Sequence, residues 1–265
     1  MTNQLDYNDG RRKSIFITGA ASGIGKAAAK RFAGEGWLTG CYDMNVAGLA
    51  ALEAELASDN VFSAPLNVTD RGAVIAALDA FGARTGGTMD VLFSNAGIDA
   101  KGPFASMDWN TAMAVVDVNF IGGMSLIHAA HPLLKATQNA LCLSTCSGSA
   151  IFGTANLAVY SATKHAIKGL TEALSVEFAA DGIRVADILP GIIDTGMLPP
   201  EVKAMLPTEG PWRALHPSAI ADVAWNAYHG DKLHWYMPEE LAEMDVQVTQ
   251  YPEAMRDDRI ANPPM

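Results

Sequence analysis

From residue 13 to about residue 238, short unbroken apolar runs alternate with longer Ala-rich stretches of helical period, and this alternation restricts the fold more than any other feature. The runs are Lys13–Thr18, Trp37–Tyr42, Val61–Leu66, Asp90–Ser94, Ala140–Thr145, Ile183–Leu189 and Leu233–Met237. They are continuously apolar, the pattern of strands whose two faces are both covered. Between them lie amphipathic stretches such as Ile24–Gly34, Val46–Ala57 and Ala73–Phe81. Strand, helix and strand repeated this regularly predict right-handed crossovers and an α/β fold, a doubly wound parallel sheet of about seven strands with helices on both faces. No linker or repeat interrupts 13–238, so one domain is expected there. A loose polar leader, 1–12, precedes it. An acidic tail, 239–265, follows without a period strong enough to place it. Inside the domain only Gly196–His216 breaks the rhythm, with prolines at 199, 200, 207 and 211.

Composition excludes several roles. A formal charge of −11 argues against a nucleic-acid partner, which needs clustered Lys and Arg. No run of about 18 uninterrupted apolar residues suggests a membrane span, and the first twelve residues lack an apolar signal core. Cys41, Cys142 and Cys146 sit in apolar runs, not at metal or disulfide spacings, as expected for a reduced, cytoplasmic protein. The six histidines are scattered. His128 and His131 share a helix face but no third ligand is suggested, so no metal is expected. His165 follows Lys164 and points about 100° away from it.

The first run passes into Thr18-Gly19-Ala20-Ala21-Ser22-Gly23-Ile24-Gly25, after which a helical pattern begins. Glycines between a strand and a helix permit a tight turn, close approach of a pyrophosphate, and close helix–sheet packing. The phosphates then meet the unpaired N–H groups at the positive end of the helix. A P-loop fails on spacing, because positions 20 and 27 are both alanine. The second run is followed by Asp43, eighteen residues beyond Gly25. A carboxylate there accepts hydrogen bonds from both hydroxyls of the adenosine ribose and repels a 2′-phosphate. No Lys or Arg occurs between Arg31 and Arg71. The cofactor expected is NAD, not NADP.

Tyr160 and Lys164 open a helical run reaching about Ala180. Residues four apart share a helix face, so phenol and ammonium can enter one cleft. Working as a base near neutrality requires the phenol pKa to fall about 3 units from about 10, or about 4 kcal/mol. A cation about 4 Å away at an effective dielectric near 20 supplies about that much, while desolvation opposes it.

In company, these residues resemble the short-chain dehydrogenase/reductase family, and the match extends to about residue 238. Its glycine pattern appears as Thr18, Gly19, Ser22, Gly23, Ile24 and Gly25; its Asn-Asn-Ala-Gly element as Ser94-Asn95-Ala96-Gly97; its helix asparagine as Asn119. The catalytic serine matches Ser147, thirteen positions before Tyr160 of Tyr-x-x-x-Lys, and the Pro-Gly turn matches Pro190-Gly191, followed by Ile193 and Thr195. The resemblance implies an NAD-dependent, Rossmann-type oxidoreductase that interconverts a secondary alcohol and a ketone. Tyr160 would be the general base or acid, Lys164 would depress its pKa and hold the nicotinamide ribose, and Ser147 would bind the reacting oxygen. Asn119 would position a proton-relaying water, while Ile193 and Thr195 would hold the carboxamide. It also implies a homodimer or homotetramer joined through the helices around Trp109–Ala136 and Ser161–Ala180. Other readings are reduction of an activated C=C or C=N bond, and NAD sensing without turnover.

Departures from the family pattern are Asn67-Val68 where Asp-Val contacts adenine, Ser94 for the first asparagine, Cys146 and Gly148 around Ser147, and a tail without the usual Gly-Gly turn. Asparagine retains a donor and an acceptor, so the adenine contact can persist. Met197, Leu198, Met205, Leu206 and Trp212 are expected to form an apolar lid, with Phe152, Ile98 and Phe104 as pocket walls, favouring an apolar or aromatic substrate. These residues serve equally well to pack the loop or a subunit contact. Asp194 either touches substrate or caps the following helix.

Overall fold

The computed structural model describes residues 10–196, 198 and 200–262. Much of the expected leader, and Met197 of the expected lid, lie outside the described residues. Seven strands form a single sheet: β1 (Ser14–Thr18), β2 (Leu38–Asp43), β3 (Val61–Pro65), β4 (Val91–Ser94), β5 (Leu141–Thr145), β6 (Arg184–Pro190) and β7 (His234–Met237). Their order is β3-β2-β1-β4-β5-β6-β7, and each neighbouring pair is parallel. Every residue of β1 is buried, which explains why it reads as an unbroken apolar run. The order reverses between β1 and β4, and the crevice at the strands' carboxyl ends opens there.

Two apolar layers enclose the sheet. On one face α1 (Gly23–Gly34), α2 (Val46–Leu56) and α8 (Pro217–His229) bury Phe32, Leu49, Leu52, Ile220 and Tyr228 against Ile15, Ile17 and Leu143. On the other, α3 (Arg71–Thr85), α5 (Gly123–Lys135) and α6 (Ala158–Glu177) surround Phe16, Leu92 and Cys142. A full side chain in these layers is worth about 2 kcal/mol. α4 (Trp109–Val116) runs through a widened turn, Asp117–Gly122, into α5. By length and composition this continuous helix, Trp109–Lys135, is apolar enough to cross a membrane. Here it packs Leu126, Ala130 and Leu134 into the second layer.

The chain is anchored earlier than the expected leader implies. Arg11 pairs both guanidinium nitrogens with the fully buried Asp90 at 2.6 and 2.7 Å, and the Ser14 amide donates to the same carboxylate at 2.9 Å. A buried carboxylate demands such partners. The tail also has definite structure: a short α7 (Pro200–Lys203) lies in the irregular loop, and α9 (Leu241–Gln250) and α10 (Pro252–Ala261) follow β7.

Candidate active site

The glycine-rich turn joins β1 to α1 under tight steric limits. A Cβ on Gly25 would lie 2.1 Å from the Gly19 carbonyl oxygen, and Gly19 itself has a φ of +68°. Ser22, at the N-cap of α1, makes no side-chain capping bond, and the first turn carries no acidic residue. No side chain therefore caps the first amides of α1, and helix N-termini left in this way are able to bind anions. Across the turn, the methyl of Thr195 comes within 3.1 Å of a Cβ placed on Gly23, so the loop after β6 closes against it. Asp43, ending β2, accepts from the Ala21 amide at 3.0 Å and from the Asn45 amide at 2.9 Å. One bond per oxygen leaves acceptor capacity on both.

Polar side chains lock the strand ends together. Thr18 Oγ1 accepts from the amides of Asn95 and Ala96, both at 3.1 Å. The Asn95 side chain donates to the Thr18 carbonyl at 3.0 Å and accepts from Thr145 Oγ1 at 2.9 Å. Asn95 thus joins β1, β4 and β5. Asn67 accepts from the amide and hydroxyl of Thr69, forming a turn. Val68 is buried against Gly122, where an added Cβ would sit 2.9 Å from its methyl.

Asn119 projects from the widened turn, a feature that in helices often marks a functional position. It grips Ile98 on both backbone groups, accepting from the amide at 2.8 Å and donating to the carbonyl at 2.9 Å, and also donates to Thr163 at 3.3 Å. A Cβ on Gly97 would meet Asn119 Oδ1 at 3.3 Å and Lys164 Nζ at 3.7 Å. Glycine therefore keeps open the space between asparagine and lysine.

Ser147 follows β5, and its hydroxyl oxygen accepts from the Ser149 amide at 3.1 Å, while its hydroxyl proton is directed to Tyr160. Lys164 is buried; its ammonium donates to the Thr145 carbonyl at 2.8 Å and lies 5.5 Å from the centre of the Tyr160 ring. Burial lowers the Lys164 pKa. Burial also pushes Tyr160 up to about 12, with hydrogen bonding to Ser147 acting against it and Cys146 and Asp99 reinforcing it. The expected fall of the phenol pKa is absent here, because desolvation outweighs a cation turned toward a carbonyl.

The other expected contacts fall in several places. Pro190-Gly191 and Ile193 lead from β6 into the irregular loop, where Ile193 pairs with Leu215. Asp194 forms an ion pair with Lys203 of α7, the short helix that follows it. Phe152 and Trp212 pack beside α9 and α10, whereas Phe104 and Met205 are exposed. His131 pairs with Asp181, and His128 meets Arg71. Sequence reasoning passed over Thr145 and Thr163, and named Ile98 only as a pocket wall, whereas its backbone is what Asn119 grips. Their only signal is position at a strand end or beside a named residue.

Residues 13–205 match the family model described as short chain dehydrogenase. The chain belongs to the short-chain dehydrogenase/reductase family. It is 34% identical over 205 residues to a levodione reductase of Leifsonia aquatica, covering 76% of each chain. It is 36% identical over 202 residues to a 2,5-dichloro-2,5-cyclohexadiene-1,4-diol dehydrogenase of Sphingobium indicum, covering 72% of this chain and 78% of the relative. Among solved structures, a 3-ketoacyl-(acyl-carrier-protein) reductase from Brucella melitensis complexed with NADH superposes with a TM-score of 0.77 at 26% identity, over 85% of this chain and 96% of that one. The seven-stranded parallel sheet is thus the family's architecture, and this family member is an oxidoreductase.

Proposed function

We propose that the protein is an NAD-dependent dehydrogenase/reductase that interconverts a secondary alcohol and a ketone, with Tyr160 as its proton-handling residue. The observation that carries this is the convergence of Ser147, Tyr160, Lys164 and Asn119 beside the carboxyl ends of β4 and β5. The residues present fit the cofactor: no side chain caps the α1 amides, glycine is sterically required at position 25, and Asp43 at the end of β2 keeps acceptor capacity on both oxygens that ribose hydroxyls could use. Gly19, Ser22, Gly23 and Ile24 would line the pyrophosphate, Asn67 and Val68 the adenine, and Asn95, Ala96 and Gly97 the central crevice. Pro190, Gly191, Ile193 and Thr195 would enclose the carboxamide end. When bound, NAD accepts or returns a hydride.

Everything else is done by the chain. Ser147 donates its hydroxyl proton to the reacting oxygen and steadies charge there. Tyr160 gives its proton to a ketone oxygen during reduction; in oxidation it takes the alcohol proton as the phenolate, a form that the cationic ring of bound NAD would favour. Lys164 and Asn119 flank the gap kept by Gly97, where Asn119 would position a water that passes protons from Lys164 toward solvent. One relative's name specifies a cyclohexadiene diol, which supports an apolar ring substrate. The three buried free cysteines suit a reducing, cytoplasmic setting. Exposed Trp109, Met124 and Val176 on the long helix and α6 suit a subunit interface; light scattering of Val176→Arg should show a smaller species than the parent. The test of function is a screen for NAD reduction across diverse secondary alcohols, repeated with NADP.

A further inference from the structure

We infer that the tail helix α9 is a clamp on the active site and that Asp245 is a positioning residue for catalysis; this rests on the roles proposed for Ser147 and the loop after β6. Leu241, the first residue of α9, is fully buried. Its Cδ1 lies 3.6 Å from Cβ positions built on both Gly148 and Gly191. One glycine follows Ser147, and the other begins the loop that carries Ile193 and Thr195. A single methyl thus fills a notch between the segment that holds the reacting oxygen and the segment assigned to the carboxamide. Pro238 closes the same notch at 3.2 Å from the Gly191 position, and the Gly191 amide donates to the Met237 carbonyl at 2.8 Å.

What holds the methyl there is ionic. Asp245 stands one turn after Leu241 and shares its helix face with Val248, which is also buried. Its Oδ2 accepts from Lys168 Nζ and from the Tyr236 hydroxyl, each at 2.6 Å. Lys168 is one turn beyond Lys164 and two beyond Tyr160 on α6. The carboxylate therefore ties α9 to the catalytic helix and to β7 together, and both side chains of the ion pair are largely buried. In such surroundings a charge-assisted bond is short and directional, and removing one partner leaves the other charge stranded. The pair fixes α9 in register with α6, and the apolar seam transmits that register to the two glycine segments. The spacing between oxygen site and hydride site is then set from the tail.

The test compares Asp245→Asn, Asp245→Glu and Leu241→Ala with the parent and with Tyr160→Phe. Readouts are kcat on the best secondary alcohol, the NADH dissociation constant, the melting temperature, and amide hydrogen exchange over residues 147–150 and 191–195. We expect Asp245→Asn and Leu241→Ala to lower kcat tenfold or more. NADH affinity should change less than threefold, and exchange in both segments should rise at least tenfold. Asp245→Glu should recover most of both readouts. A lowered melting temperature with unchanged kcat and unchanged exchange would show a structural strut only and overturn the clamp. Tyr160→Phe separates the two proposals, since it should lower kcat by about 10²–10⁴-fold without altering exchange. Should the parent turn over no alcohol, the proposed activity fails while exchange still decides the clamp.

Discussion

Lys164 directs its ammonium to the Thr145 carbonyl at 2.8 Å, while the Tyr160 ring centre lies 5.5 Å from it. The cation beside the phenol thus spends its shortest bond on the backbone of β5, and burial governs the tyrosine. In this arrangement the buried Lys164 and the partly buried Tyr160 are shifted in opposite senses, each toward its neutral form.

The first consequence is spectroscopic. With its pKa pushed up to about 12, Tyr160 should stay protonated throughout the neutral and mildly alkaline range. The difference in phenolate absorbance between the parent and Tyr160→Phe, without cofactor, should be flat to pH ~10.5, already above the ordinary tyrosine value. Adding NAD brings a cationic ring near the phenol and should move the titration downward. A Tyr160 phenolate forming near pH 7 in the free enzyme would contradict the dominance of burial.

Cofactor choice rests on Asp43. Replacing it with alanine removes the expected ribose contact, the charge that repels a 2′-phosphate, and the brace on the Ala21 amide. Charge-assisted hydrogen bonds of this kind are worth about 1.5–3 kcal/mol. Asp43→Ala should therefore lower kcat/KM for NAD about 10–100-fold, and lower it much less for NADP. Equal losses with both cofactors would remove Asp43 from discrimination.

A third prediction concerns the β6–β7 pair. Asp187 is fully buried, and His234 meets it at 2.7 Å. Burial disfavours the charged imidazole, but the hydrogen bond and charge of Asp187 win and raise the His234 pKa above 6.5. A raised histidine pKa stabilises the fold fully below the ordinary value and loses that contribution as pH climbs through the folded value. Breaking a buried pair costs about 3–5 kcal/mol. His234→Gln should lose about that much in urea unfolding at pH 6, and visibly less at pH 9. A deficit that grows with pH would reverse the assigned sign.

The sheet was legible because its central strands are buried and leave unbroken apolar runs, and the half-buried edge strands β3 and β7 are apolar enough to follow the same pattern; predicted and observed strand ends differ by at most one residue. Tyr160, Lys164 and the glycine turn were legible for a related reason, since their geometry is local to one helix or one turn. The Thr145 contact was not, because a backbone carbonyl carries no side-chain signature. Nor was the tail. No residue of α10 is buried, so it shows no apolar stripe, and the partners of Asp245 arrive from α6 and β7 by register rather than by spacing. The phenol arithmetic placed a cation about 4 Å away in a wet dielectric, whereas the site is drier and the ammonium is turned aside.

The most direct test of the assigned chemistry is the rate of NAD reduction by the parent and by Tyr160→Phe on the best alcohol from the screen. Loss of positioned proton transfer should lower kcat by about 10²–10⁴-fold while NADH binding stays within a few-fold. A Tyr160→Phe enzyme that keeps near-parental kcat would contradict it.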